Sequence, residues 1–131
     1  MAVPNSFVNG TIADGPDVTA NFTYITKFID ELDTATDGAT VTFDLSSANK
    51  HKVTLGGNRT LAVSGATTNT VFMVILTQDG TGSRTVTWWS GITWTGGSAP
   101  VLTTTAAKSD AFVFLCTGAG TYYGFVAGQN I

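Results

Sequence analysis

Charge is what this chain has least of. Asp, Glu, Lys and Arg make up 11% of its 131 residues, with a net charge of -3. A weak negative balance excludes the phosphate-neutralising surface of a nucleic-acid binder. Histidine and cysteine occur once each. That is too few for a zinc site, which takes three or four such ligands, and the lone thiol excludes an intrachain disulfide. No apolar run reaches the roughly 18 residues of a membrane-spanning helix. The start, Met1-Ala2-Val3-Pro4-Asn5, has neither the basic nor the apolar region of a secretory signal.

What is present in quantity is Thr, which outnumbers even the 15 Gly, together with 43% apolar residues. That composition belongs to a β-rich folded domain, since a disordered segment is richer in charge and poorer in aromatics. The length fits one domain that buries roughly two thirds of its unfolded surface. Sparse charge also suits a chain that lives in an assembly, because fewer charges need desolvating at its contacts. Asn9-Gly10-Thr11, Asn21-Phe22-Thr23 and Asn58-Arg59-Thr60 match the glycosylation pattern. In a Thr-rich chain without a secretion signal they read as chance matches.

Residues 1–15 form an irregular arm. A helix start follows at Gly15-Pro16-Asp17, with Pro at the first helical position and Asp complementing the helix dipole. Val18, Phe22, Ile25, Ile29 and Leu32 then recur at alternating steps of four and three, the seam of a short heptad pattern. The spacing predicts a helix over 16–37, ending near Thr34 to Asp37 with Gly38 as terminator. Two repeats are too short for a free-standing coiled coil. Either the helix lies on its own β domain, or its seam meets copies from other subunits. Ile at successive seam positions favours three or more strands over two.

From Thr40 the period changes to two. Val41, Phe43 and Leu45 alternate with Thr and Asp, the pattern of a half-buried strand. Lys52–Leu55 and Thr60–Val63 flank Gly56-Gly57-Asn58, and Val71–Leu76 and Thr85–Trp89 flank a turn rich in Gly, Asp and Ser. Both read as hairpins. A third hairpin joins Asp110–Thr117 to Thr121–Ala127 through Gly118-Ala119-Gly120. These segments predict a mainly β domain over 38–131, an antiparallel β-sandwich of jelly-roll type with about eight or nine strands. Val71–Leu76, Phe112–Cys116 and Tyr122–Val126 are apolar at successive positions, so both their faces ask for cover. The second sheet supplies one cover; a neighbouring subunit is expected to supply the other.

Candidate chemistry is thin. His51, between Lys50 and Lys52, reads as a surface residue at a strand start. Cys116, inside Ala111-Phe112-Val113-Phe114-Leu115-Cys116, reads as a buried inert thiol. Outside the helix region the acids are Asp44, Asp79 and Asp110, and turn or surface roles account for each, so no carboxylate active site is expected. Gly80-Thr81-Gly82-Ser83 lacks the Lys of a phosphate loop and opens a strand, so it is a turn. The reading is of a protein that is not an enzyme and needs no cofactor or metal. Trp88 and Trp89 are adjacent in a strand and should face opposite ways. Trp89, Trp94 and Tyr122, with Tyr123 beside it, are the candidates for a sugar-stacking platform, against the plainer role of core and subunit contacts.

Several stretches carry a family likeness: Gly57-Asn58-Arg59-Thr60-Leu61-Ala62, Leu76–Trp88, Gly96–Thr103 and Gly124-Phe125-Val126-Ala127-Gly128-Gln129. With the opening Val3–Thr11 and Asp17–Phe22, the chain resembles structural proteins of tailed bacteriophages, of the fibre, head-fibre and decoration type. The resemblance implies a virion location and no catalytic residues. With the heptad and the sparse charge, it leads to the expectation of a homotrimer that assembles through the helix seam of Val18, Phe22, Ile25, Ile29 and Leu32 and through the two-sided strands, and that docks on capsid or tail proteins through the N-terminal arm. A carbohydrate-binding module that contacts a host-surface glycan is the alternative.

Overall fold

The period-two segments do become strands, but their partners are not their sequence neighbours. The computed structural model describes residues 15–131; the expected arm lies outside the described residues. One helix, α1 (Gly15–Asp30), precedes nine strands among the described residues: β1 (Asp33–Thr34), β2 (Thr40–Asp44), β3 (Lys50–Leu55), β4 (Arg59–Ser64), β5 (Val71–Gln78), β6 (Val86–Thr87), β7 (Ile92–Trp94), β8 (Ser109–Gly118) and β9 (Thr121–Gly128). They form a six-stranded sheet in the order β1-β3-β5-β8-β9-β7 and a three-stranded sheet in the order β2-β4-β6. The domain is mainly β; the six-stranded sheet is mixed and the three-stranded sheet is parallel throughout.

The antiparallel expectation holds only for β8, which runs antiparallel to β5 and β9; β7 lies parallel to β9. From β1 to β6 the chain alternates between sheets. Odd strands stack parallel in one (Asp33 beside His51, His51 beside Val74), and even strands stack parallel in the other (Val41 beside Leu61, Thr60 beside Thr87). Each pair β1–β2, β3–β4 and β5–β6 is thus one coil that visits both sheets before the next coil lies on it. The hairpins expected around Gly56-Gly57-Asn58 and around Asp79–Arg84 do not form, because those turns carry the chain from one sheet to the other. The hairpin across Gly118-Ala119-Gly120 does form: β8 and β9 pair antiparallel, and β8 also lies antiparallel to β5.

Polar side chains tie one coil's corner to the next. Asp37 accepts two hydrogen bonds from the Arg59 guanidinium, at 2.8 and 2.7 Å, and one from Gly56 N–H. Those Arg59 bonds hold the Asp37 carboxyl below its ordinary range, with burial pulling the other way. Asn58 Oδ1 accepts from Thr85 N–H in the third coil at 3.0 Å. Asp79 accepts from the N–H groups of Thr81 and Gly82 and from Arg84, the capping role expected of a turn Asp. Gly82, with φ at +74°, packs where a Cβ would stand 2.5 Å from Thr104 O, so no larger residue fits that crossing.

The helix starts where Pro16 and Asp17 predict but stops at Asp30, short of Thr34 to Asp37. Tertiary pairing overrides the periodicity. Asp33 and Thr34 pair with His51 and Lys52, and Ala35 N–H donates to Lys52 O at 2.9 Å. Leu32 therefore lies beyond the helix. Inward residues of both sheets share one core that includes Val41, Phe43, Leu61, Val74, Phe112 and Phe114. Burying each of these side chains is worth about 1.5–3 kcal/mol.

Candidate functional site

The aromatic residues come together, but inside. Phe72 stacks on Phe114 at 5.1 Å, and Trp89 sits 4.7 Å from Phe114 and 6.5 Å from Phe43. Trp88 packs edge-on against Trp94 and Phe112, each at 4.9 Å. Trp88 and Trp89 do not face opposite ways as expected. Strand β6 ends at Thr87, so the alternation ends there too, and both indoles pack against the core. Tyr122 is only 7% exposed and meets Phe72 and Trp89 edge-on. Trp94 lies over Gly124, where a Cβ would come 2.7 Å from its ring. Trp89, Trp94 and Tyr122 thus gather around the core and present no common exposed platform. A hollow nearby, about 160 Å³ between Arg84, Trp88, Pro100 and Leu102, is smaller than the roughly 300 Å³ of the smallest usual ligand pockets.

Two polar residues read as surface groups are buried. His51 is fully buried, its ring 5.7 Å from Phe43. Nδ1 lies 3.2 Å from Asp33 Oδ2 and Nε2 lies 2.9 Å from Ala48 O. The alternation along β3 sends His51, Val53 and Leu55 inward and both flanking lysines to the other face, so charged neighbours were no guide. Asp110, 2% exposed, accepts from Thr103 N–H at 2.6 Å and Asn130 N–H at 3.0 Å, pinning the long loop and the C-terminus to β8. Asp44 is exposed and its carboxyl, pulled down first by the Ser46 hydroxyl, caps a local turn. Cys116 is buried, as expected, with Sγ donating to Gly118 O. Asp44, Asp79 and Asp110 all bond to backbone N–H groups, and His51 is turned inward.

What remains is the outer face of the six-stranded sheet. Register places its side chains in rows: Val71, Leu115 and Tyr123 in one, and Met73, Val113 and Phe125 in the next. Val71 is 53% exposed, Tyr123 50% and Phe125 43%, and the other three are half-buried. Lys50, beside Met73, and Lys52, beside Ile75, rim one side. On the inner face of the same strands, Phe72, Val74, Phe112 and Phe114 are 0–1% exposed. The sequence shows that these strands are apolar on both sides and points to a subunit contact there, but it singles out individual interface residues only on the helix. The signal was the run of successive apolar positions; which parity faces out is set by the second sheet.

On α1, Val18 and Ile25 are half-buried, and Phe22 is 67% exposed. The Ile29 side chain lies outside the described residues. Leu32, past the helix end, is 42% exposed. Among the described residues no helix is long and apolar enough to cross a membrane. Compared with known proteins, the chain matches no family model, no curated protein and no solved structure.

Proposed function

We propose that this chain is a structural protein of a bacteriophage virion, a homotrimeric capsid decoration, head-fibre or tail-fibre-like component. The observation that carries the reading is the apolar outer face of the six-stranded sheet on a chain with 11% charged residues. Contiguous apolar surface rimmed by polar residues marks an association site. The α1 seam supplies a second such surface, and its successive Ile positions favour three copies. The two sheets, sharing one core, act as a β-sandwich body that projects outward, while the N-terminal arm docks on capsid or tail proteins. The likeness to tailed-phage fibre and decoration proteins supplies the setting.

Light scattering on the purified full chain at micromolar concentration tests the assembly. A mass three times the 13.6 kDa of the chain is expected, and a stable monomer would overturn the reading. Antibody labelling of intact virions tests the location, with density on the head or tail as the expected result.

A second reading, a carbohydrate-binding receptor module on the tail, draws on a shallow groove of about 210 Å³ lined by Trp94, Thr95, Tyr123 and Phe125. Of the two tyrosines it keeps the exposed Tyr123 and drops the buried Tyr122. Glycan binding by the assembled protein, lost in Tyr123→Ala, would favour it.

A further inference from the structure

We infer that the outer face of the six-stranded sheet, and not the α1 seam, is the main contact between copies of this chain, and that a second copy is what covers it. The inference rests on the trimeric reading and goes beyond it by naming the surface.

Area argues for a second copy. Strands β3, β5, β8, β9 and β7, between 3 and 10 residues long, make a flat face on the order of 500 Å² at about 4.8 Å between strands and about 3.3 Å per residue. The seam stripe of a 16-residue helix, about 24 Å long and about 8 Å across, adds on the order of 200 Å². A stable specific contact takes about 800 Å² from each partner. Neither surface reaches that figure alone; together they approach it. Both are on every copy, so a partner that is itself a copy satisfies both at once, whereas a partner meeting only the sheet leaves Phe22 in water.

Rigidity argues for the sheet as the main contact. The side chains of Val71, Met73, Val113, Leu115, Tyr123 and Phe125 stand on strands that are hydrogen-bonded to neighbours on both sides. Little order is lost when they are covered. The helix ends at Asp30, so the seam loses Leu32 and keeps about two heptads, a length at which an isolated helix is marginal. Lys50 and Lys52 lie at the rim, where their aliphatic stems extend the apolar surface and their ammonium groups stay in water.

The experiment compares full-length variants by sedimentation velocity, with far-ultraviolet circular dichroism confirming the fold. Tyr123→Asp with Phe125→Asp should give a folded monomer, its apparent dissociation constant raised by at least about 100-fold, as expected for two aromatic anchors. Ile25→Asp with Ile29→Asp should remain a trimer at micromolar concentration and dissociate only on dilution. Val71→Lys, on a different strand, is the independent check should the β9 pair disturb folding; weaker association is expected. A trimer that survives the sheet variants but falls apart in the helix variant would overturn the inference and leave the trimer standing. A monomeric parent chain would overturn both.

Discussion

Strand β5 carries two sets of apolar side chains with opposite fates. Phe72, Val74 and Leu76 are 0–2% exposed, while Val71, one step away, is 53% exposed and Met73 and Ile75 are half-buried. Residue type does not separate the sets. What separates them is that the three-stranded sheet stands over one face, and no described residue covers the other to the same degree. The inner face is held by packing within the chain; the outer face has the composition of a core without a second layer. Burial in this protein follows from what lies opposite a side chain, and hydrophobicity states only that something should.

The largest test of that contrast is Phe114→Ala. Its ring packs against Phe72, Trp88, Trp89 and Trp94, so the variant should lose about 3–5 kcal/mol of unfolding free energy in a denaturant titration. A loss as small as that of an outer-face substitution would erase the distinction between faces.

Next in size is His51→Leu. It removes the group facing Ala48 O and the Asp33 carboxylate and should cost about 1–3 kcal/mol. Because β1 is only two residues long, the effect should be local: the Ala35 amide, bonded to Lys52 O, is expected to exchange faster than amides of β5. Unchanged exchange would mean that the two-residue ladder alone holds β1.

Phe125→Ser lies on the other side of the comparison. Unfolding of the separated chain should change by less than about 1 kcal/mol, while association weakens measurably. Equal loss in both measurements would show that the outer face already packs within the chain.

The smallest effect belongs to Asp79→Asn. The Arg84 bond first, then the Gly82 and Thr81 amides, hold the Asp79 carboxyl down to about 2, against the opposing effect of burial. A depressed folded value means that this carboxylate stabilises the fold fully above its unfolded value of about 3.9. The contribution is then lost as pH falls through about 2. The stability difference between parent and variant should therefore be constant near neutrality and shrink across that acid window. A difference that grew in acid would contradict the Asp79–Arg84 pair.

The candidate surface was half legible. Successive apolar positions at Val71–Leu76 and Phe112–Cys116 marked strands apolar on both sides, and the second sheet covers only one of those sides. The helix seam was legible as a spacing but not in its end, because the pairing of Asp33 with His51 is a contact between distant residues. Trp88 and Trp89 were misplaced because alternation was extended past the last paired residue, and where a strand stops depends on its neighbour.

By itself the sequence determined a mainly β domain behind one helix. It also determined the turns at Gly56–Asn58, Asp79–Ser83 and Gly118–Gly120, the buried Cys116, and the surplus of apolar strand faces. Those are local matters of period, turn chemistry and composition. Which strands pair was decided only in three dimensions. A polar turn between two alternating segments serves a hairpin and a coil equally, and the choice rests on corner contacts such as Asp37 with Arg59 and Asn58 with Thr85. The same is true of which face is inside. Alternation assigns residues to two sides, and only the second sheet determines which side becomes core.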